Sequence, residues 1–361
     1  MMINETGFTP GSPAAAIKVM VVDDSAFMRY AISHHLEGNP LIKVVGTARN
    51  GVEALELIPR LNPDVITMDI EMPQMDGLTT LRHVMKQFPR PVIMLSSLTT
   101  EGSEATITAL TIGAVDFVPK PTQKASINEV MAEVAAKIVK VASIRVKAAP
   151  VVSKEPLVNV PAKSPLRPLN RFDPIVVIGS STGGPKALNT VISGLPADLQ
   201  AAVVIVQHMP VGFTFSLATR LNTQTGLTVQ EAKEGDRLEV GKALLAPGGY
   251  HMVFDQQGEV SLNQNPQVHG VRPAVDVSLI SLVQNYNKRV IAAILTGMGS
   301  DGTNGAKLLH SIGGGVIAEH ESTCVVYGMP RSVIEAGAAN EIVPLDRIAE
   351  AISQRVNKSS N

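Results

Sequence analysis

A chain of 361 residues is long enough for two domains of ordinary size, at roughly 100–200 residues each. Hydrophobic residues make up 45% of it and aromatics only 3%, with no tryptophan, so its cores are aliphatic and an unfolded chain is excluded. A formal net charge of −1 excludes the basic field of a nucleic-acid or anionic-membrane binder, and the single cysteine, Cys324, excludes an intramolecular disulfide and a thiolate zinc site.

Residues 1–16 lack the basic start and apolar stretch of a signal peptide and are expected to form a flexible tail. Strands are then expected at Ile17–Val22, Ile42–Thr47, Val65–Met68, Val92–Leu95 and Val115–Val118. Helices fit between and after them at Ala26–Leu36, Gly51–Leu57, Leu78–Gln87, Glu104–Ile112 and Asn128–Val141. Short apolar strands alternating with helices predict an α/β domain, a parallel sheet covered on both faces, over residues 17–143.

Residues 144–171 break the pattern. Pro150, Pro156, Pro161, Pro165 and Pro168 fall here, with several basic residues and only Glu155 as an acid. This stretch reads as an extended, solvated linker. Residues 172–361 alternate again, with strands expected at Ile175–Ile178, Val203–Val206, Ala243–Leu245, Val290–Leu295 and Val316–Ala318. Helices are expected at Lys186–Ile192, Phe213–Leu221, Val275–Tyr286, Gly305–Ser311 and Ser332–Ala336. Leu227–Leu262 is turn-rich and suggests antiparallel additions. No apolar run approaches the ~20 residues of a membrane helix, and the expected location is the cytoplasm.

In a parallel sheet, ligands bind at the carboxyl ends of the strands. In the first half Asp23 and Asp24 follow the first strand, Asp69 the third, Ser96 ends the fourth and Lys120 follows the fifth. Three carboxylates at one edge call for a hard cation such as Mg²⁺, and a metal beside a lysine and a hydroxyl suits acceptance of a phosphoryl group.

The segments Val21–Ser25, Met68–Gly77 and Phe117–Pro121 resemble the response-regulator receiver family. The resemblance implies a flavodoxin-like, doubly wound domain of five parallel strands, with Asp69 as phosphoacceptor. It implies that Asp24, Asp69 and the Glu71 carbonyl hold Mg²⁺ with Asp23 nearby. Ser96 would sense the phosphoryl group, Phe117 would be the coupled aromatic and Lys120 would pair with the phosphate. A histidine kinase would be the phosphodonor.

In the second half, Gly179-Ser180-Ser181-Thr182-Gly183 follows a strand and fits G-x-S-x-G, a turn that exposes a serine hydroxyl beside free amides at a helix start. Such runs also serve as plain turns and caps. A serine nucleophile needs a base. Among His208, His251, His269, His310 and His320, His208 stands out because it follows a buried strand at the right sheet edge. Asp301, Asp276, Asp236 and Asp255 are candidates for the orienting acid, with Asp276 also placed to cap its own helix. A rival reading is that Gly297–Gly302 is a G-x-G-x-x-G dinucleotide loop with Glu319 as its ribose acid.

Ile178–Gly184, Gln207–Pro210, Leu295–Gly302 and Cys324–Arg331 resemble the chemotaxis protein-glutamate methylesterase family (CheB), which also shares the order receiver, linker, hydrolase. The resemblance implies a C-terminal α/β parallel-sheet serine hydrolase with Ser181 as nucleophile, His208 as base and Asp301 as orienting acid. It places Thr182 beside the site as a hydrogen-bonding neighbour and the Met298 N–H as an oxyanion donor. The implied substrates are γ-methyl esters of glutamate and glutamine amides on methyl-accepting chemotaxis receptors, with no cofactor for hydrolysis. Phe215 stands where relatives often carry arginine, and Ser180 reads as a small turn residue.

Overall fold

The computed structural model describes residues 16–97, 99–120, 127–142, 144 and 162–359. Residues 1–15 of the expected tail, Pro121, and the linker up to residue 161 apart from Ile144 lie outside the described residues.

The first domain runs β1 (Ile17–Val22), α1 (Ala26–Glu37), β2 (Ile42–Ala48), α2 (Gly51–Leu61), β3 (Val65–Asp69), α3 (Gly77–Gln87), β4 (Val92–Ser96), α4 (Thr100–Ile112), β5 (Asp116–Pro119) and α5 (Ile127–Val141). The strands pair in parallel in the order β2-β1-β3-β4-β5. Four helix starts are set by side chains that accept a main-chain N–H of the first turn: Ser25, Asn50, Asp76 and Thr99. Helix α2 continues past Pro59 to Leu61, beyond the expected end at Leu57. The proline sits in the last turn, where one lost hydrogen bond matters less than keeping Ala54 and Ile58 on the buried face.

The second domain begins with β6 (Arg167–Pro168) and β7 (Ile175–Ser180), then α6 (Gly184–Gly194), β8 (Ala202–Gln207) and α7 (Phe213–Asn222). Next come β9 (Thr228–Glu231), β10 (Glu239–Val240), β11 (Lys242–Leu245), β12 (His251–Phe254), β13 (Val260–Asn263) and α8 (Val275–Tyr286). It closes with β14 (Val290–Ile294), α9 (Thr303–Ser311), β15 (Gly315–Glu319), α10 (Met329–Glu335), β16 (Glu341–Val343) and α11 (Leu345–Ser359). The main sheet has the order β16-β15-β14-β7-β8-β11-β9, and all its pairs are parallel. The chain leaves β7 to one side for β8 and returns on the other as β14. Such a reversal, here at the carboxyl end of β7, is where open parallel sheets place their ligand sites.

Three expectations are corrected here. The turn-rich middle is antiparallel only in part: β9 and β11 extend the parallel sheet, while β10 pairs with β6 and β12 with β13 in antiparallel fashion. Residues beyond Ala336, for which no element was expected, supply an edge strand and a long helix, β16 and α11. The described part of the linker is docked. The Lys163 ammonium donates to the main-chain carbonyls of Asn222, Thr225 and Leu227, Arg167 pairs with Asp173, and β6 pairs with β10. A cation that finds several carbonyls in one place does not stay solvated.

The two domains meet face to face. Helix α4 packs on α7 and α6, and one buried apolar core runs from Met94, Ile107 and Phe117 into Leu188, Phe213 and Leu217. The Phe117 and Phe213 rings lie 4.5 Å apart between centroids, tilted by 44°.

Candidate active site

Ser181 is the first residue after β7, and His208 the first after β8. The His208 N–H donates to the Ser180 carbonyl at 3.1 Å, continuing the β7–β8 ladder and holding the two loop starts side by side. On the other flank, the Ser181 N–H donates to the Thr296 carbonyl at 3.0 Å, in the loop after β14. Gly297 follows. A side chain there would collide with Ser181, since an added Cβ would stand 2.8 Å from the Ser181 Cβ. The first glycine of the 297–302 loop is therefore required for close approach to the serine, and Gly299 and Gly302 for left-handed turns.

Asp301 lies in this loop and is 1% exposed. Its carboxylate takes four hydrogen bonds: His208 Nε2 at 2.7 Å and the N–H groups of Val275 at 2.6 Å, Asp276 at 2.9 Å and Gly302 at 2.9 Å. Burial pushes its pKa up, but the His208 contact and the amides outweigh that and hold it below the usual carboxylate value. A carboxylate only accepts, so His208 Nε2 carries the hydrogen, and Nδ1 is the nitrogen left to act as a base. The structure brings together Ser181, His208 and Asp301 at the sheet's reversal point. It records no hydrogen bond between Ser181 Oγ and His208.

Contrary to the expectation from sequence, Asp276 does not cap its own helix. Its carboxylate accepts the Gly305 N–H in the first turn of α9, with Asn304 and His269 as further partners, while Asp301 accepts the first two amides of α8. The two helices start side by side and exchange aspartates, each at the positive end of its neighbour. Asp236 and Asp255 bind amides of their own turns. His251 contacts the Pro266 carbonyl, and His310 and His320 are exposed.

Ser180 is more than a turn residue: it ends β7, is buried, and donates to Gln207 Oε1 at 2.6 Å. Gln207 Nε2 in turn holds the carbonyls of Ser181 at 2.9 Å and His208 at 3.0 Å. Thr296 Oγ1 donates to the Thr182 carbonyl at 3.0 Å. Sequence reasoning missed Gln207 and Thr296, although a glutamine closing an otherwise apolar buried strand is a readable signal. The amides of Thr182, Gly183 and Met298 donate to nothing among the described residues. Thr182 reaches out of its domain: its hydroxyl donates to Asp116 Oδ2 at 2.7 Å.

The dinucleotide reading is overturned by burial. Glu319 is 0% exposed, and its Oε2 accepts the Thr296 N–H at 2.7 Å, so it faces no ribose. Cys324 is partly buried, and burial beside Glu319 pushes its thiol well above the ordinary value.

At the other sheet's edge, Asp23, Asp24 and Asp69 offer carboxylate oxygens within 4.8 Å of one another. Lys120 Nζ lies 2.6 Å from Asp69 and 3.1 Å from Asp23. Burial lifts Asp69 to about 6 against the pull of Lys120. Glu71 lines, with Asp24, a cleft of about 570 Å³ at this edge. Ser96 is buried and bonded to Thr106 and to the Gly102 carbonyl, and Phe117 is buried against Phe213.

Residues 176–352 match the family model for CheB methylesterase, and residues 19–132 match that for the response regulator receiver domain. The protein-glutamate methylesterase/protein-glutamine glutaminase of Symbiobacterium thermophilum is 50% identical over 353 residues, covering 95% of this chain and 98% of that one. The protein of the same name from Geobacillus kaustophilus is 49% identical over 349 residues, covering 95% and 99%. That of Pyrococcus horikoshii is 44% identical over 345 residues, covering 94% of each. With both modules matched in order and near-full-length identity, this chain belongs to the CheB methylesterase family.

Proposed function

We propose that the protein is a phosphorylation-regulated serine hydrolase that removes methanol from glutamate γ-methyl esters and ammonia from glutamines on methyl-accepting chemotaxis receptors, giving sensory adaptation. The observation that carries this reading is the His208–Asp301 pair, partly buried at the sheet reversal one ladder step from Ser181.

Ser181 Oγ attacks the ester carbonyl as its proton passes to His208 Nδ1, a contact that tightens in substrate complexes. Asp301 keeps Nε2 protonated and stabilises the imidazolium. The oxyanion takes hydrogen bonds from the Met298 N–H and the free amides of Thr182 and Gly183, just before α6. His208 returns the proton to the leaving methoxide, which departs as methanol. Water, deprotonated by His208, then cleaves the acyl-serine and frees the glutamate. Hydrolysis needs no cofactor in this scheme. Deamidation follows the same path with ammonia as the leaving group.

The receiver supplies the gate. Its α4 covers α6 and α7, and Asp116 holds the hydroxyl next to the nucleophile. Three carboxylates facing one lysine leave excess negative charge, which fits a divalent cation on Asp23, Asp24, Asp69 and the Glu71 carbonyl. Bound there, Mg²⁺ supplies neutralisation of phosphoryl oxygens. Asp69 accepts the phosphoryl group from a histidine kinase, Lys120 pairs with it, and Ser96 and Phe117 relay its arrival to the interface with Phe213. No described helix is long and apolar enough to cross a membrane.

The test is methanol release from methylated receptor membranes, with and without a small-molecule phosphodonor. Release that rises with donor in wild type, fails to rise in Asp69→Ala and vanishes in Ser181→Ala is the expected result. Near-normal release by Ser181→Ala would sink the triad.

A further inference from the structure

We propose that Glu319 is a positioning residue for Ser181 and acts through Thr296. The inference rests on Ser181 being the nucleophile. Thr296 holds the nucleophile turn at two points. Its carbonyl accepts the Ser181 N–H at 3.0 Å, and its hydroxyl donates to the Thr182 carbonyl at 3.0 Å. The same hydroxyl accepts the Val326 N–H at 2.9 Å, so Thr296 is fixed from the far side as well. Its own N–H points away from the turn and ends on Glu319 Oε2 at 2.7 Å.

Glu319 is the last residue of β15, the strand next to β14, and is fully buried. Among the described residues its second oxygen, Oε1, makes no hydrogen bond. Thr323 and Cys324 flank the carboxyl, but Thr323 Oγ1 and Cys324 Sγ donate to the main-chain carbonyls of His320 and Glu319. Among the described residues no lysine or arginine pairs with it. Burial accordingly pushes this carboxyl above the usual range. A buried acid with one oxygen on an amide and the other unpaired is a poor ion-pair element. It does resemble an amide side chain, whose carbonyl oxygen would serve Thr296 equally well.

The consequence is geometric. Without an acceptor, the buried Thr296 N–H is unpaired and the 295–297 segment shifts to find one. That segment carries the carbonyl that seats Ser181 and the Gly297 contact against its Cβ, so the hydroxyl moves relative to His208. Displacement of a reacting group by ~1 Å costs ~100-fold in rate without touching substrate contacts.

The experiment compares Glu319→Ala, Glu319→Met and Glu319→Gln with wild type and Ser181→Ala, all full-length and donor-activated, by methanol release and by the rate of Ser181 labelling with a fluorophosphonate. Expected are a kcat loss of about 10–100-fold in Ala and Met with KM within about twofold, and recovery to within about threefold in Gln. Labelling rates should follow kcat. Folded Ala and Met variants with normal kcat would overturn the assignment, as would a Gln variant no better than Ala. If Ala and Met both fail to fold, Glu319 serves the fold rather than the turn, and the proposal also fails. Activity in Ser181→Ala would instead remove the nucleophile on which the inference rests.

Discussion

Thr182 and Asp116 belong to different domains, yet the hydroxyl of one donates to the carboxylate of the other at 2.7 Å. Thr182 follows Ser181 directly. Asp116 opens β5, and its other oxygen takes Lys137 at 3.0 Å and the Phe117 N–H at 2.8 Å. The strand that bears Phe117 thus also grips the residue next to Ser181. Any shift of Phe117 is felt at Thr182 through one carboxylate.

Asp116→Asn should therefore loosen the closed arrangement. Exchanging a charge-assisted hydrogen bond for a neutral one costs about 1 kcal/mol, or roughly fivefold in the open population. Methanol release without phosphodonor should rise by about that factor, with little change in fully phosphorylated protein. Unchanged basal release would show that this bond does not hold the domains together.

The aromatic pair across the interface gives a second handle. A double-mutant cycle on Phe117→Leu and Phe213→Leu should return a coupling energy of about 0.5–1.5 kcal/mol in urea unfolding of the full chain. Additive effects would mean that the rings merely lie close. Phosphorylation of Asp69 should reduce the coupling if it moves Phe117.

Asp301 predicts both a rate and a pH dependence. Asp301→Asn should lower kcat by about 10³–10⁴-fold, because an amide no longer enforces the Nε2–H tautomer. The native carboxyl titrates below its unfolded value, so the unfolded chain binds the proton first. The stability it contributes is present above about pH 4 and is lost as pH falls through the depressed native value. Stability curves of wild type and Asp301→Asn should converge on the acid side. Parallel curves down to pH 2 would contradict the assignment.

Cys324 should be inert. Its thiol is pushed up by burial and by the neighbouring Glu319, so little thiolate exists at pH 8. Iodoacetamide should label the native chain at least about tenfold more slowly than the urea-unfolded chain. Rapid native labelling would mean that the loop after β15 opens.

Lys163 should matter to the hydrolase domain although it precedes every strand of the domain. Removing its clamp on residues 222–227 by Lys163→Met should lower the melting temperature by about 2–6 °C. A catalytic fragment starting at 162 should outlast one starting at 172. Both should release methanol without phosphodonor, since neither carries α4 or Asp116.

Much of this was legible because the chemistry sits at strand ends. Val21-Val22-Asp23-Asp24 and Val206-Gln207-His208 each place a polar side chain where an apolar strand runs out, and parallel topology gathers such points at one edge. What escaped reading depends on contacts between loops. Asp301 and Asp276 trade helix starts, which no local pattern distinguishes from ordinary capping. Glu319 stands at ribose-acid spacing from a glycine loop, and only its burial reveals that it faces inward. The interface pairs, Thr182 with Asp116 and Phe117 with Phe213, join residues from separate domains. Helix α11 is a different case: Ile348, Ile352 and Val356 recur at helical spacing and are fully buried, a signal present in the sequence and passed over.

That helix has a consequence in time. Ile348, Ile352 and Val356 close the core beneath α6, the helix that leads out of the Ser181 turn, and they are synthesised after every other element of that core. While the ribosome still encloses Leu345–Ser359, the underside of α6 has no cover. A nascent chain can complete its receiver early, but its hydrolase is assembled only once α11 has emerged. The enzyme thus enters the cell with its regulator already folded, and no unsupervised esterase precedes it.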